Sequence, residues 1–225
     1  MEKIYDIVRA FALAIPFQEG NSFRPYLFFS GNHILTEDKK MVIVTEDIYE
    51  AEVNKRCDII IGYVRKDEDP LTSLLVHISK PYRVQFLDFI KDYISGEELG
   101  KLLSWVWTQT EFPNQYGTGM LMELFKRADK DSLMDGGEKK ILDGLPEVVE
   151  IYRGTQVKKA KIRGLSWTLS KAKAKWFADR WKTKSGKVYK ATIARKDIYA
   201  YFDGRGEQEV VVNARRLKNV GVDNG

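Results

Sequence analysis

Two carboxylates one residue apart, Glu207 and Glu209, stand directly before the run Val210-Val211-Val212. The β-branched run reads as a buried strand. Side chains on a strand alternate between faces, so Glu207 and Glu209 are expected on one surface and Gln208 on the other. Asp203-Gly204-Arg205-Gly206 comes just before them and has turn composition, with glycines that tolerate positive φ. Taken alone, such a pair reads as a solvated strand end. Two carboxylates fixed on one surface are also the groups used to stabilise a developing cation and to accept a proton.

Two earlier segments carry compatible chemistry. Leu165, Trp167 and Leu169 alternate with Ser166, Thr168 and Ser170. This period-2 pattern predicts a strand with one apolar face and one hydroxyl face lining a cleft or meeting water. Arg153 follows the strand-like run Val148 to Tyr152 and precedes Gly154. An arginine ending a strand is ordinarily a surface charge. A guanidinium can instead make paired hydrogen bonds to phosphate, and a neighbouring glycine lets a ligand approach the backbone.

Arg153-Gly154, Ser166-Trp167-Thr168 and Glu207-Gln208-Glu209, in that order, resemble the mono-ADP-ribosyltransferases of the Arg–Ser–Glu class. That class includes clostridial binary-toxin enzymes, vertebrate arginine-specific ectoenzymes and several phage enzymes. The resemblance covers roughly residues 85–220. The middle motif departs from the family's Ser-Thr-Ser, with an aromatic at its second position and a threonine at its third. The family implies an α+β fold with an ADP-ribosyltransferase-like core of two packed β-sheets flanked by helices. It implies NAD as co-substrate and release of nicotinamide. Glu209 becomes the catalytic glutamate that stabilises an oxocarbenium-like ribose, as carboxylates do in glycosidases. Ser166 holds Glu209, and Glu207 orients or deprotonates the acceptor. Arg153 binds the pyrophosphate or adjoining ribose, and Gly154 offers its backbone to the nicotinamide amide. Thr168 and Arg180 are further NAD-binding positions, with Lys182 beside them in the polar loop 180–187. Asp203 to Gly206, with Tyr201 and Phe202, form the acceptor-recognition loop. The resemblance points to a phage or bacterial-toxin type of effector.

Composition is consistent with this reading. The chain has 225 residues, 44% hydrophobic and 31% charged, which suits a folded globular protein of one or two domains. Cys57 is the single cysteine, so no internal disulfide forms, and a reducing, cytoplasmic location is expected. The start of the chain, with Glu2 and Asp6 among its apolar residues, does not read as a signal peptide. No apolar stretch reaches membrane-spanning length, so no membrane partner is expected. His33 and His77 lack metal-site spacing, and no metal is expected. Residues 151–225 carry 19 Lys and Arg against 6 Asp and Glu; residues 1–150 carry 18 against 26. A basic half paired with an acidic half is the plain account. A basic half facing an anionic target, nucleic acid included, is the sharper one.

The elements that must position these residues divide into an N-terminal α/β segment, 1–81, of unknown role, and a catalytic domain, 82–225. In the first, Ile4, Ile7, Val8 and Phe11 predict a helix over 3–14 that Pro16 stops. Tyr26–Phe29 and Met41–Val44 are expected strands around a Gly31-Asn32 turn, and Asp47–Asn54 a short helix. Ile59–Ile61 and Leu74–Ile78 are expected strands. In the second, Phe86, Phe89, Ile90 and Tyr93 form one helical stripe. Ser95 and Glu98 form a capping box before Leu99, Leu102, Leu103 and Val106, with Trp105 and Trp107 as packing residues. Further helices are expected around Leu121–Phe125 and from Asp135. A helix capped by Ser170 shows Ala174, Phe177, Ala178 and Trp181 on one face, with Lys171, Lys173 and Lys175 on others.

Three functions remain open on the sequence. The first is transfer of ADP-ribose to an intracellular protein side chain, most simply arginine, which Glu207 favours. The second is transfer to DNA or RNA, which the basic C-terminal half favours. The third is a non-enzymatic interaction protein on a decayed transferase fold, against which the joint presence of Arg153, Ser166 and Glu209 argues.

Overall fold

The computed structural model describes residues 1–17, 38–110, 116–155, 162–180 and 186–223, and the backbone of 33–35. They form two compact units, Met1–Ile94 and Ser95–Gly225. The division lies beyond residue 81, so the helix carrying Phe86 belongs to the first unit.

The first unit is mostly helical: α1 (Glu2–Ala14), an antiparallel pair β1 (His33–Leu35) and β2 (Met41–Ile43), then α2 (Glu46–Val64), α3 (Pro70–His77) and α4 (Lys80–Ile90). Helix α1 buries Ile4, Tyr5, Val8 and Phe11, and Phe11 meets Phe86 of α4 with ring centroids 5.3 Å apart. Two expected strands are helical instead. Ile59–Ile61 lies within α2, where Val53, Cys57, Ile60, Ile61 and Val64 are buried. That spacing is the inward stripe of a helix, and it outweighs the β propensity of three isoleucines. Leu74–His77 closes α3, with Asp69 accepting from the Thr72 amide at its N-cap, Pro70 in its first turn, and Leu71, Leu74, Leu75 and Ile78 buried. Among the described residues the segment is therefore mainly helical, with one antiparallel strand pair, in place of the expected small α/β unit richer in strands. Tyr26–Phe29 lies outside the described residues.

The second unit begins with α5 (Gly96–Thr108), whose Ser95–Glu98 capping box forms as the sequence predicts. Helices α6 (Thr118–Arg127) and α7 (Gly136–Gly144) follow, the latter with its own capping box from Asp135 and Glu138. The strands are β3 (Val148–Thr155), β4 (Ser166–Thr168), β5 (Lys187–Ala194), β6 (Ile198–Phe202), β7 (Glu209–Val212) and β8 (Lys218–Val222), with α8 (Lys171–Asp179) between β4 and β5. Among the described residues these strands make one antiparallel sheet in the order β6-β7-β4-β3-β5-β8. The expected pair of packed sheets is replaced by this single hydrogen-bonded sheet. Its two halves meet narrowly. Strand β4 pairs β7 over three positions, whereas it pairs β3 at one, Tyr152 with Thr168.

Helix α8 covers β3 at very close range. A Cβ on Gly154 would lie 1.7 Å from the Ala174 carbonyl oxygen, and one on Gly186 would lie 2.0 Å from that of Ala178. The facing helix residues are themselves alanines, Ala174 and Ala178, both buried. Small residues on both sides set the short spacing between helix and sheet. Ser170 caps α8, accepting from the Lys173 amide. Trp181 lies outside the described residues.

Candidate active site

The sheet's narrow seam gathers the chemistry-bearing residues. Ser166 pairs with Val211 and Thr168 with Glu209, so Ser166, Thr168 and Glu209 share one face of β4 and β7. Trp167 pairs with Val210 on the other face and is buried, as its apolar position predicts.

Glu209 opens β7 and is 6% exposed. A carboxylate that far from water is costly unless its oxygens are satisfied. Three groups serve it. The Trp107 indole Nε1–H donates to Oε1 at 3.2 Å. The Ser166 side chain hydrogen-bonds the carboxylate. An Arg205 guanidinium nitrogen lies 3.6 Å from Oε2. Burial nonetheless dominates and pushes the Glu209 pKa above the ordinary carboxyl value, with Ser166, Arg205 and Trp107 pulling it back.

Glu207 reaches the same site by a different route from that expected. Gln208 has φ 47°, and the strand starts only at Glu209. The two glutamates converge because a turn, not continuous strand alternation, delivers Glu207. That turn is pinned at several points. The Asp203 carboxylate accepts from the Gln208 amide at 2.9 Å, and the Asp203 carbonyl accepts from the Gly206 amide at 2.7 Å. Gly206 has φ 61°, the left-handed region that suits glycine. The Asp203 amide donates to Glu138 at 3.0 Å, anchoring the turn to the start of α7. Glu207 Oε2 accepts from Arg205 at 2.8 Å.

Thr168 has a positional duty. Its hydroxyl donates to the Glu207 carbonyl at 2.7 Å and accepts from the Ser170 amide at 3.0 Å, tying the glutamate turn to β4 and to the cap of α8. Gly154 is required by the packing of α8. Tyr201 is buried in β6, and its amide lies against the Met134 sulfur. Phe202 is buried too but borders the cleft.

Arg153 lies at the far side of the seam. Its guanidinium donates to the Ser166 carbonyl and packs under Gly164, whose Cβ would come within 2.9 Å of it. Burial lowers the guanidinium pKa to about 10, and the charge of Glu209 opposes that shift. The Arg153 Nε is buried without a hydrogen-bond partner among the described residues. Arg153 does not border either of the two cavities over Glu209, so its guanidinium braces β4 from inside the sheet.

Two adjoining cavities open over these residues. One of about 310 Å³ is bordered by Trp107, Ser166, Trp176, Phe177 and Arg180. The other, of about 290 Å³, is bordered by Thr108, Phe202 and Gly204. Arg205, Glu207 and Glu209 stand in the wall of both. Each is close to the lower end of the usual small-molecule range of about 300–1,000 Å³. Arg180 stacks over Trp176 at 5.5 Å, and Trp176 is 54% exposed at the cleft. Lys182 lies outside the described residues.

Trp107 is a residue of the candidate site that the sequence does not reveal. Its place beside a helical stripe reads as packing, and its ring does pack edge-on against Phe125 at 5.0 Å. Its bond to Glu209 spans 102 residues. Among the described residues no group of three or more His, Cys, Asp or Glu is arranged to hold a metal ion. No described helix is long and apolar enough to cross a membrane. No protein-family model matches the chain, and no curated protein or solved structure is significantly similar to it.

Proposed function

We propose that the chain is an NAD-dependent mono-ADP-ribosyltransferase acting on an arginine side chain of an intracellular protein. The observation that carries this reading is a buried carboxylate, Glu209, held by indole, hydroxyl and guanidinium groups, with a second carboxylate, Glu207, sharing the same guanidinium. NAD supplies the glycosidic bond to nicotinamide that is broken. The two adjoining cavities that share Arg205, Glu207 and Glu209, one of them flanked by Arg180, offer room for such a ligand.

The chain's own residues divide the work. Glu209 sits where positive charge developing on a sugar is stabilised, and its burial strengthens that effect. Ser166 and Trp107 hydrogen-bond its carboxylate and hold it in place. Glu207, on the turn before β7, faces an incoming nucleophile. A guanidinium has a pKa above about 12, so a positioned carboxylate must take its proton as the new bond forms. Glu207→Gln is therefore expected to abolish arginine labelling while slow nicotinamide release continues. Following both products in one reaction checks this; equal loss of both would place Glu207 in bond breaking.

A second acceptor class has one observation in its favour. A groove of about 480 Å³ elsewhere on the sheet is bordered by Lys196, Arg216 and Lys218 with one acidic residue, Asp197, a net basic surface that could meet phosphates. Incubation with labelled NAD and cell lysate, followed by protease or nuclease, tests the reading. Protease-sensitive label is the expected result. Nuclease-sensitive label would move the acceptor to nucleic acid, and absence of label with intact NAD would refute the transferase.

A further inference from the structure

Arg205 sits where the glutamate turn, β7 and the end of α5 meet. One guanidinium nitrogen donates to Glu207 Oε2 at 2.8 Å and lies 3.6 Å from Glu209 Oε2. The other donates to the Thr108 carbonyl at 2.8 Å. Thr108 is the last residue of α5, so its carbonyl lies at the negative end of that helix. Two carboxylates and a helix-terminal carbonyl, from three separate elements, thus surround one planar cation. This is the donor–acceptor match that a guanidinium fork makes and an ammonium does not.

The occupant is not locked in. The Arg205 side chain is 41% exposed and rides on the turn between β6 and β7. It also stands in the wall shared by both cavities. Swinging it outward would free both carboxylates and join the two spaces. An acceptor guanidinium would restore the same contacts, so exchanging one guanidinium for the other leaves neither carboxylate unpaired.

We propose that Glu207, Glu209 and the Thr108 carbonyl form a guanidinium subsite for the acceptor, and that Arg205 fills it as an internal surrogate until an acceptor arginine displaces it. This rests on the transferase reading for the identity of the acceptor. The ligand class is an alkylguanidine, free or within a peptide. In wild type, acceptor binding competes with a tethered cation, so apparent affinity is reduced by the fraction of chains in which Arg205 has moved away.

Agmatine, a small alkylguanidine, is the probe, and calorimetry without NAD is the measurement. Arg205→Ala is expected to bind agmatine at least about tenfold more tightly than wild type, and Arg205→Gln to do the same. Adding Glu207→Gln to Arg205→Ala should erase the gain. Equal affinity in wild type and both Arg205 variants, weaker binding by them, or a gain that survives Glu207→Gln would each overturn the proposal. Nicotinamide release by the wild-type protein is followed separately. If wild type leaves NAD intact, the transferase reading and the subsite's role as acceptor site both fall, while the agmatine affinities still decide whether the subsite holds a guanidinium.

Discussion

Glu209 sets the energetics at the scale of single residues. Its pKa is raised in the folded chain, so the folded state binds a proton more readily than the unfolded one. Stability contributed by this group therefore falls as pH rises through the raised value, and above it the fold carries an unfavourable buried charge. Glu209→Gln removes that charge. Its unfolding midpoint at neutral pH should rise above wild type, while nicotinamide release drops by at least about 100-fold. A thermal scan and a turnover assay on one preparation check both signs. The ionised form is the useful one, so wild-type activity should fall on acidification at a pH above the ordinary carboxyl range. Trp107→Phe keeps the contact with Phe125 and deletes the donor to Glu209. That variant should shift the acid limb of the pH–rate profile further upward and approach wild type at high pH. An unshifted profile would make Trp107 a packing residue only.

At the scale of elements, the spacing between α8 and the sheet fixes the seam. Gly154 has no room for a methyl group, since the obstacle is helix backbone rather than a flexible side chain. Gly154→Ala should cost about 3 kcal/mol or more, the upper end of overpacking, by displacing α8. Chemical denaturation measures this. A loss of nicotinamide release without a loss of stability would instead restore Gly154 as a ligand-contacting position. Element-scale reading of the sequence was uneven for physical reasons. The capping box at Ser95 and the helix start at Asp135 are local chemistry and were legible. Period-2 alternation placed Ser166 and Thr168 on the correct face, because strand geometry needs no distant partner. The isoleucine run of α2 and the leucines of α3 misled because short apolar runs fit either period until their burial partners are known. Trp107 was not legible as a site residue, and Arg205 was legible only as a member of the acceptor loop, since their partners come from other elements.

For the whole molecule, the unit boundary at Ser95 makes a cleavable prediction. Every residue assigned to NAD chemistry lies in Ser95–Gly225. A chain beginning just before Ser95, keeping its capping box, should fold and release nicotinamide, while labelling of a protein target falls if the first unit docks it. A soluble fragment that no longer binds NAD would instead make Met1–Ile94 part of the catalytic core. The charge asymmetry of the sequence is compatible with either result, because it describes the partner field rather than the fold.

The indole-to-carboxylate bond from α5 to β7 also bears on how the chain acquires activity. Its two ends are 102 residues apart, and the Ser166–Val211 pairing also spans much of the C-terminal unit. Helices such as α5 and α8 close through neighbours a few residues away and can form early. The carboxylate cage cannot, because its loop-closure cost is met before any of its contacts reward it. A chain caught midway through folding therefore holds most of its helices and none of its chemistry. The arrangement around Glu209 is thus completed late, with closure of the sheet.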